Sequence, residues 1–342
     1  MSTRFLLLVL LILAGCPTSG VDDDDATAND DDATANDDDA TADDDDATAD
    51  DDDDTLPPGS EVELNGPCEQ PSRLGGFVID NLPEYSAVQG QVSDGVVPNT
   101  ILEVVIDEGG CQLLRRDNPF CDPGCEPGFT CDFDGNCIPY PETQDLGTVR
   151  VDGLNAKVAM DPVLPGNNYF AVGLPVVLTN PGEAIRLRSE GGAWDPLELW
   201  GVGLDSFELP EGIEWEVDEG QPLSVTWPAA PAGAKSEVLL SLNIDQHGVS
   251  PATLFCSFPD TGSATVPASV ISGLFGVGVS GFPFGALTRR TVDSQDVAGG
   301  CVDLAISSPR PVSVDVLGYI PCDLMTPCPD GLECNIEIGL CQ

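Results

Sequence analysis

The amino-acid sequence predicts a mainly β protein: an antiparallel β-sandwich with two small disulfide-rich modules, preceded by a disordered N-terminal tether. Three observations carry this. Beyond about residue 60 the apolar residues come in short β-branched or alternating runs, the pattern of strands with a buried face. The 37 glycines and 30 prolines punctuate those runs and suit turns and edges better than helices. Eight of the 13 cysteines fall into two clusters, 121–137 and 322–341, each too short to bury a core of its own.

Composition narrows the function classes. The 342 residues carry a formal net charge of -47, and residues 22–54 hold 19 aspartates with no basic residue. Nucleic acid is excluded as a partner, because displacing its counterions takes lysine and arginine, and only 12 scattered basic residues are present. The same shortage argues against direct electrostatic attraction to anionic lipid. Divalent cations and basic partners remain compatible with the charge.

Residues 1–15 read as an export signal. Arg4 precedes the apolar run Phe5–Leu13, which is far shorter than the ~20 residues needed to span a bilayer. The run ends in Leu13-Ala14-Gly15-Cys16, which resembles the lipobox of bacterial lipoproteins. That resemblance implies a diacylglycerol on the Cys16 thiol, cleavage before Cys16 and a bilayer as partner. An ordinary cleaved signal with a chance cysteine is the alternative. Several acyl chains would make a durable anchor, each buried CH₂ contributing about 0.8 kcal/mol. Pro17 stands where aspartate would resemble an inner-membrane retention signal, so the implied address is the outer membrane or cell surface.

Residues 16–60 form the tether. Positions 23–50 repeat DDDATAN twice and DDDATAD twice. A period of seven invites a coiled coil, but alanine and threonine interrupting runs of like charge supply no a/d core. The reading is a self-repelling spacer, on the order of 130 Å long if fully extended. A low-affinity Ca²⁺ buffer is the alternative; contiguous aspartates lack the ligand spacing of a calcium loop.

The strand-like segments follow in order. Residues 61–120 form a first β segment with 75–80, 86–92 and 101–107. Residues 141–320 form the main sandwich, immunoglobulin-like or jelly-roll-like, with 147–154, 184–189, 222–227, 237–245, 252–258, 301–307 and 312–320. Only PASVISGLF (267–275) reads as one or two helical turns. Trp194, Trp200, Trp215 and Trp227 fall close together; core filling is the plain reading, and a sugar-binding face the sharper one. Arg186 and Arg188 share one strand face, either partly solvated or a site for an acidic ligand.

The cysteine-rich insert (121–140) and the C-terminal module (321–342) share a plan. CDPGCEPGFTCDFDGNC and CDLMTPCPDGLECNIEIGLC each place a Pro-Gly or Pro-Asp-Gly turn between the second and third cysteine and a glycine shortly before the last. They resemble truncated EGF-like domains or Dickkopf amino-terminal repeats, although EGF domains use six cysteines. The resemblance implies an exposed, disulfide-stapled character. With Cys16 lipidated, twelve cysteines remain, an even set for disulfides in an exported protein: Cys68, Cys111, Cys121, Cys125, Cys131, Cys137, Cys256, Cys301, Cys322, Cys328, Cys334 and Cys341. The expected pairing outside the modules is Cys68 with Cys111 and Cys256 with Cys301; connectivity cannot be deduced from sequence, and a different pairing among the first six cysteines is the alternative. Zinc is the alternative for the modules.

Other motifs carry less. Asp132, Asp134 and Asn136 in DFDGN resemble the front of a calcium loop, but Cys137 interrupts it, and a hairpin turn explains Asp-Gly. GVGVSG (276–281) lacks the strand and helix of a dinucleotide site. His247, the single histidine, sits in loop-like DQHGVSP with no triad or metal signature around it. No cofactor is expected beyond possible Ca²⁺. The expected function is therefore non-enzymatic: an anchored lipoprotein displaying a disulfide-stabilised β domain to an extracellular or envelope ligand. An envelope glycan hydrolase using carboxylates near the tryptophans, and a calcium-dependent adhesion module, are the alternatives.

Overall fold

The computed structural model describes residues 55–116, 120–192, 194–244, 252–279 and 283–342. The leader, Cys16, the aspartate repeat and His247 lie outside them. Contacts group Met1–Asp53 and Asp54–Gln342 as two units, and every described residue belongs to the second.

The first strands are β1 (Arg73–Asn81), β2 (Ser86–Val92), β3 (Leu102–Glu108), β4 (Cys111–Arg116), β5 (Phe129–Cys131) and β6 (Cys137–Pro139). Next come β7 (Val149–Asp152), β8 (Val158–Met160), β9 (Tyr169–Ala171), β10 (Ala184–Ser189), β11 (Glu198–Val202), β12 (Glu214–Val217) and β13 (Leu223–Thr226). The last are β14 (Glu237–Asn243), β15 (Ala252–Pro259), β16 (Ser263–Val266), β17 (Phe284–Val297), β18 (Gly300–Val316), β19 (Cys334–Asn335) and β20 (Leu340–Cys341). Helix α1 (Ala268–Val277) follows β16. It exceeds the one or two turns expected, running from Pro267 to Gly278, whose φ of 126° ends it.

Ten strands make one sheet in the order β3-β4-β15-β14-β17-β18-β1-β2-β9, with β12 also pairing β18. Two joins, β1 with β18 and β12 with β18, are parallel, and the others are antiparallel. The inner face of this sheet serves two cores. In one, Phe77, Ile79, Leu304 and Ile306 meet Val151 and Leu187 of a four-stranded sheet, β11-β10-β7-β8. In the other, Leu240, Leu254 and Leu287 meet α1 through Ile271 and Leu274, and the β13–β16 pair through Val225 and Val266. Both layers form because residues i and i+2 of a strand share a face. Glycines seat aromatic rings within them: a Cβ on Gly90 would lie 2.1 Å from the Phe77 ring, and one on Gly285 2.7 Å from Trp215.

Between the cores the inner face of β17 turns polar, at Arg289, Thr291 and Asp293. Thr291 exchanges hydrogen bonds with the backbone of Val202, and Asp293 accepts the N–H of Trp200, so β17 is docked to β11. Arg289 is 1% exposed and pairs with buried Asp260 at 2.6 Å. Burial disfavours the charged Asp260 carboxylate, but bonds from Arg289, Ser236 and Trp227 outweigh it and hold its pKa below the usual carboxylate value. A carboxylate depressed in this way contributes stability above its unfolded-state pKa of ~3.9. That contribution is lost as pH falls through the lower folded-state value. Denaturant midpoints should therefore decline below about pH 4, and Asp260→Asn should remove part of that slope.

Six disulfides are present among the described residues, and two of them correct the expected pairing. Cys68 bonds Cys301 and Cys111 bonds Cys256, not Cys68 with Cys111 and Cys256 with Cys301. Sheet register is the reason. Cys111 and Cys256 sit directly opposite on β4 and β15. Cys301, the second residue of β18, pairs with Arg73, the first of β1, five residues after Cys68. The insert is closed by Cys121–Cys131 and Cys125–Cys137, the C-terminal module by Cys322–Cys334 and Cys328–Cys341. Both modules thus join first to third and second to fourth cysteine around a small hairpin, β5–β6 or β19–β20. Ahead of the sheet, Val62 packs with Ala184 and Val202, and Asn65 donates to Asp293, before Cys68 closes onto β18.

Candidate ligand-binding groove

The outer face of β1, β2 and β9 forms a shallow groove of about 590 Å³. Alternation builds it. In β2, Ser86, Val88 and Val92 are buried, which leaves Gln89 and Gln91 exposed on the other face. In β9, Tyr169 turns inward and accepts the N–H of Leu146, while Phe170 is 50% exposed. Register sets Val78, Gln89 and Phe170 in one row across the three strands, and Gly76 beside Gln91 in the next.

Internal partners hold the polar groups of this groove. Arg73 donates Nε and Nη2 to the two carboxylate oxygens of Asp303, at 2.8 and 3.0 Å. The Asp303 side chain is 8% exposed and that of Arg73 47%. This bidentate bond, more than the opposing burial, raises the Arg73 pKa above its ordinary value. Gly76 makes the pairing possible, since a Cβ there would fall 2.2 Å from Asp303 Oδ1. Gln91 donates Nε2 to the Gly166 carbonyl and to Asn168 Oδ1, both at 2.8 Å. Those bonds leave its Oε1 to accept from elsewhere.

The residues singled out by sequence fall in several places. Trp215 and Trp227 are buried in the core beneath α1 and the β13–β16 pair. Trp194 is partly exposed and borders a second concavity of about 520 Å³ with Asp195, Gln295 and Asp296. Trp200 lies beneath the Arg186 guanidinium, 5.6 Å from the ring centre. Arg186 and Arg188 converge on Asp152, at 3.4 and 2.9 Å, so this basic pair already shares a carboxylate of the protein.

Asp132 closes its own turn. Its Oδ1 accepts the N–H groups of Asp134 and Asn136 at 3.0 and 2.7 Å, and Oδ2 the Asn136 amide at 3.3 Å. The Asn136 bond leads in lowering the Asp132 pKa. Asp323 does the same in the C-terminal module, toward Met325 and Thr326. Among the described residues, the side chains close enough to share a metal ion are Cys121, Cys125 and Cys137, and Cys322, Cys328 and Cys341. All six are in disulfides and are not thiolate ligands. No helix among the described residues is long and apolar enough to cross a membrane.

The groove could not be foreseen as a unit, because Arg73, Gln89, Gln91, Asn168 and Phe170 come from three separate segments. The signal available was the outward pair of glutamines in SAVQGQV. No protein-family model and no curated protein matches the chain. A solved structure of a Ca²⁺-stabilised adhesin, with which an Antarctic bacterium reaches out and binds ice, is similar at 11% identity over 72% of this chain and 75% of that one. The TM-score is 0.14, too low for the likeness to inform fold or function.

Proposed function

We propose that the chain is a bacterial lipoprotein whose disulfide-stapled β domain binds a ligand at the cell envelope without transforming it. The observation that carries binding is the groove itself, where Arg73 and Gln91 are fixed by internal partners. Groups held in advance lose little conformational freedom when a ligand arrives. The anchor rests on the lipobox at residues 13–16, and Pro17 favours the outer membrane. The acidic repeat then serves as a spacer, carrying the domain beyond the membrane surface.

Fractionation tests the anchor. The native protein should partition into detergent, and Cys16→Ser should move it to the aqueous phase, since the acyl chains are the source of membrane affinity. Mass spectrometry of the mature N-terminus should find a diacylglycerol on Cys16; an unmodified thiol would sink the lipoprotein reading. Protease added to intact cells should cut the tether, and full protection until lysis would contradict surface display.

A second reading is hydrolysis of an envelope glycan. It is favoured by Trp194, Asp195 and Asp296 lining one concavity, since glycoside hydrolysis needs two facing carboxyl groups. A zymogram separates the two. Clearing that is lost in Asp195→Asn or Asp296→Asn supports the enzyme, and ligand retention without clearing supports the binding module.

A further inference from the structure

We propose that the groove over β1, β2 and β9 binds an uncharged glycan, with Phe170 stacking on a sugar ring and Gln89, Gln91, Asn168 and Arg73 bonding its hydroxyls. This rests on the groove being the ligand site. Its chemistry selects among ligands. Amides of glutamine and asparagine each offer donor and acceptor, which matches a hydroxyl that is both. An exposed aromatic ring offers an apolar face to the C–H side of a sugar. Gly75 and Gly76 put bare backbone into the lining. A lipid tail would need an unbroken apolar trough, and Arg73, Gln89, Gln91 and Asn168 interrupt this one.

Charge decides against acidic glycans. The one cation of the groove, Arg73, already forms a bidentate pair with Asp303. Residues 55–342 carry 40 acidic and 11 basic residues, so the surrounding field repels polyanions. A neutral polyhydroxylated chain meets no such penalty.

The test is calorimetry of the full mature chain, in detergent, with cellulose-, chitin- and starch-derived oligosaccharides and with polygalacturonate fragments as the acidic comparator. At least one neutral oligosaccharide should bind. Phe170→Ala and Gln89→Ala should each weaken it about tenfold or more, with melting temperatures unchanged because both side chains are exposed. The acidic comparator should bind at least about tenfold more weakly than the best neutral one. Absence of neutral binding, binding that survives both substitutions, or equal binding of the acidic fragments would overturn the proposal. A displayed-peptide screen separates this failure from the wider one. A peptide that binds, and is lost in Phe170→Ala, keeps the groove as the ligand site and removes the glycan. If no sugar or peptide binding depends on these residues, the groove itself is not a site.

Discussion

Replacing Arg289 with alanine should cost about 3–5 kcal/mol of folding stability, the range for breaking one half of a buried ion pair. The side chain is 1% exposed and that of its partner Asp260 3%. Nε and Nη2 bond the two oxygens of Asp260, Nη1 bonds the carbonyl of Ser206 at 2.8 Å, and Nη2 bonds that of Pro228 at 2.5 Å. The guanidinium also lies 4.7 Å from the Phe207 ring centre. Alanine would leave a buried carboxylate with only the Trp227 and Ser236 donors, and would take a donor from the carbonyls of Asp205, Ser206 and Pro228. Denaturant midpoints should show the loss. Replacing both partners with apolar residues of similar volume, Arg289→Met with Asp260→Leu, should recover much of it, because no charge is then stranded. A single-mutant loss below about 1 kcal/mol would mean that water reaches the pair and solvates it.

The second large effect concerns Cys111 and Cys256. Replacing both with alanine should lower stability by about 5 kcal/mol in the chain-entropy model, because the bond closes a long loop. Their separation is 145 residues, against 10 to 13 for the bonds within the modules. A module bond should contribute about 3 kcal/mol by the same reasoning, and mostly to its own module. Differential alkylation during stepwise reduction should accordingly show the modules opening without loss of the sheet cores. Loss of the Cys111–Cys256 bond should coincide with global unfolding, as both cysteines are fully buried. A double-alanine variant that melts like the parent would show that β4 and β15 hold their register through packing alone.

How legible these features were depends on where the chain hides its alternation. The segments 86–92 and 184–189 match β2 and β10 to the residue, because Val88 and Val92, and Ile185 and Leu187, alternate onto the buried face. Strand β17 is 14 residues long, yet apolar alternation does not mark it in the sequence. Its inward positions include Arg289, Thr291 and Asp293, so the polar residues that mark an outer face elsewhere mark the inside here. Strand β18 was read as two pieces, 301–307 and 312–320, since Pro309 and Pro311 look like a break. Both prolines lie past Ser307, where β1 stops pairing, so β1 requires no N–H from them. The cysteine pairing followed nearness in sequence, whereas the bonds follow neighbours in the sheet. The groove residues are legible only after register places them side by side.

The bond between Cys68 and Cys301 has a mechanical consequence. Tension entering from the N-terminal side first meets residues 55–67, held by Val62, by Asn65 and by an isolated bridge from Pro58 to Glu183. These contacts can give way one at a time. The next thing the pull reaches is covalent, and it lies before β1. Force therefore jumps from Cys68 to the head of β18 without passing through the strands enclosed by the bond, Arg73 to Gly300. The lead-in can peel and re-seat, as a compliant washer would, while the bond keeps the pull from unzipping β1 from its N-terminal end.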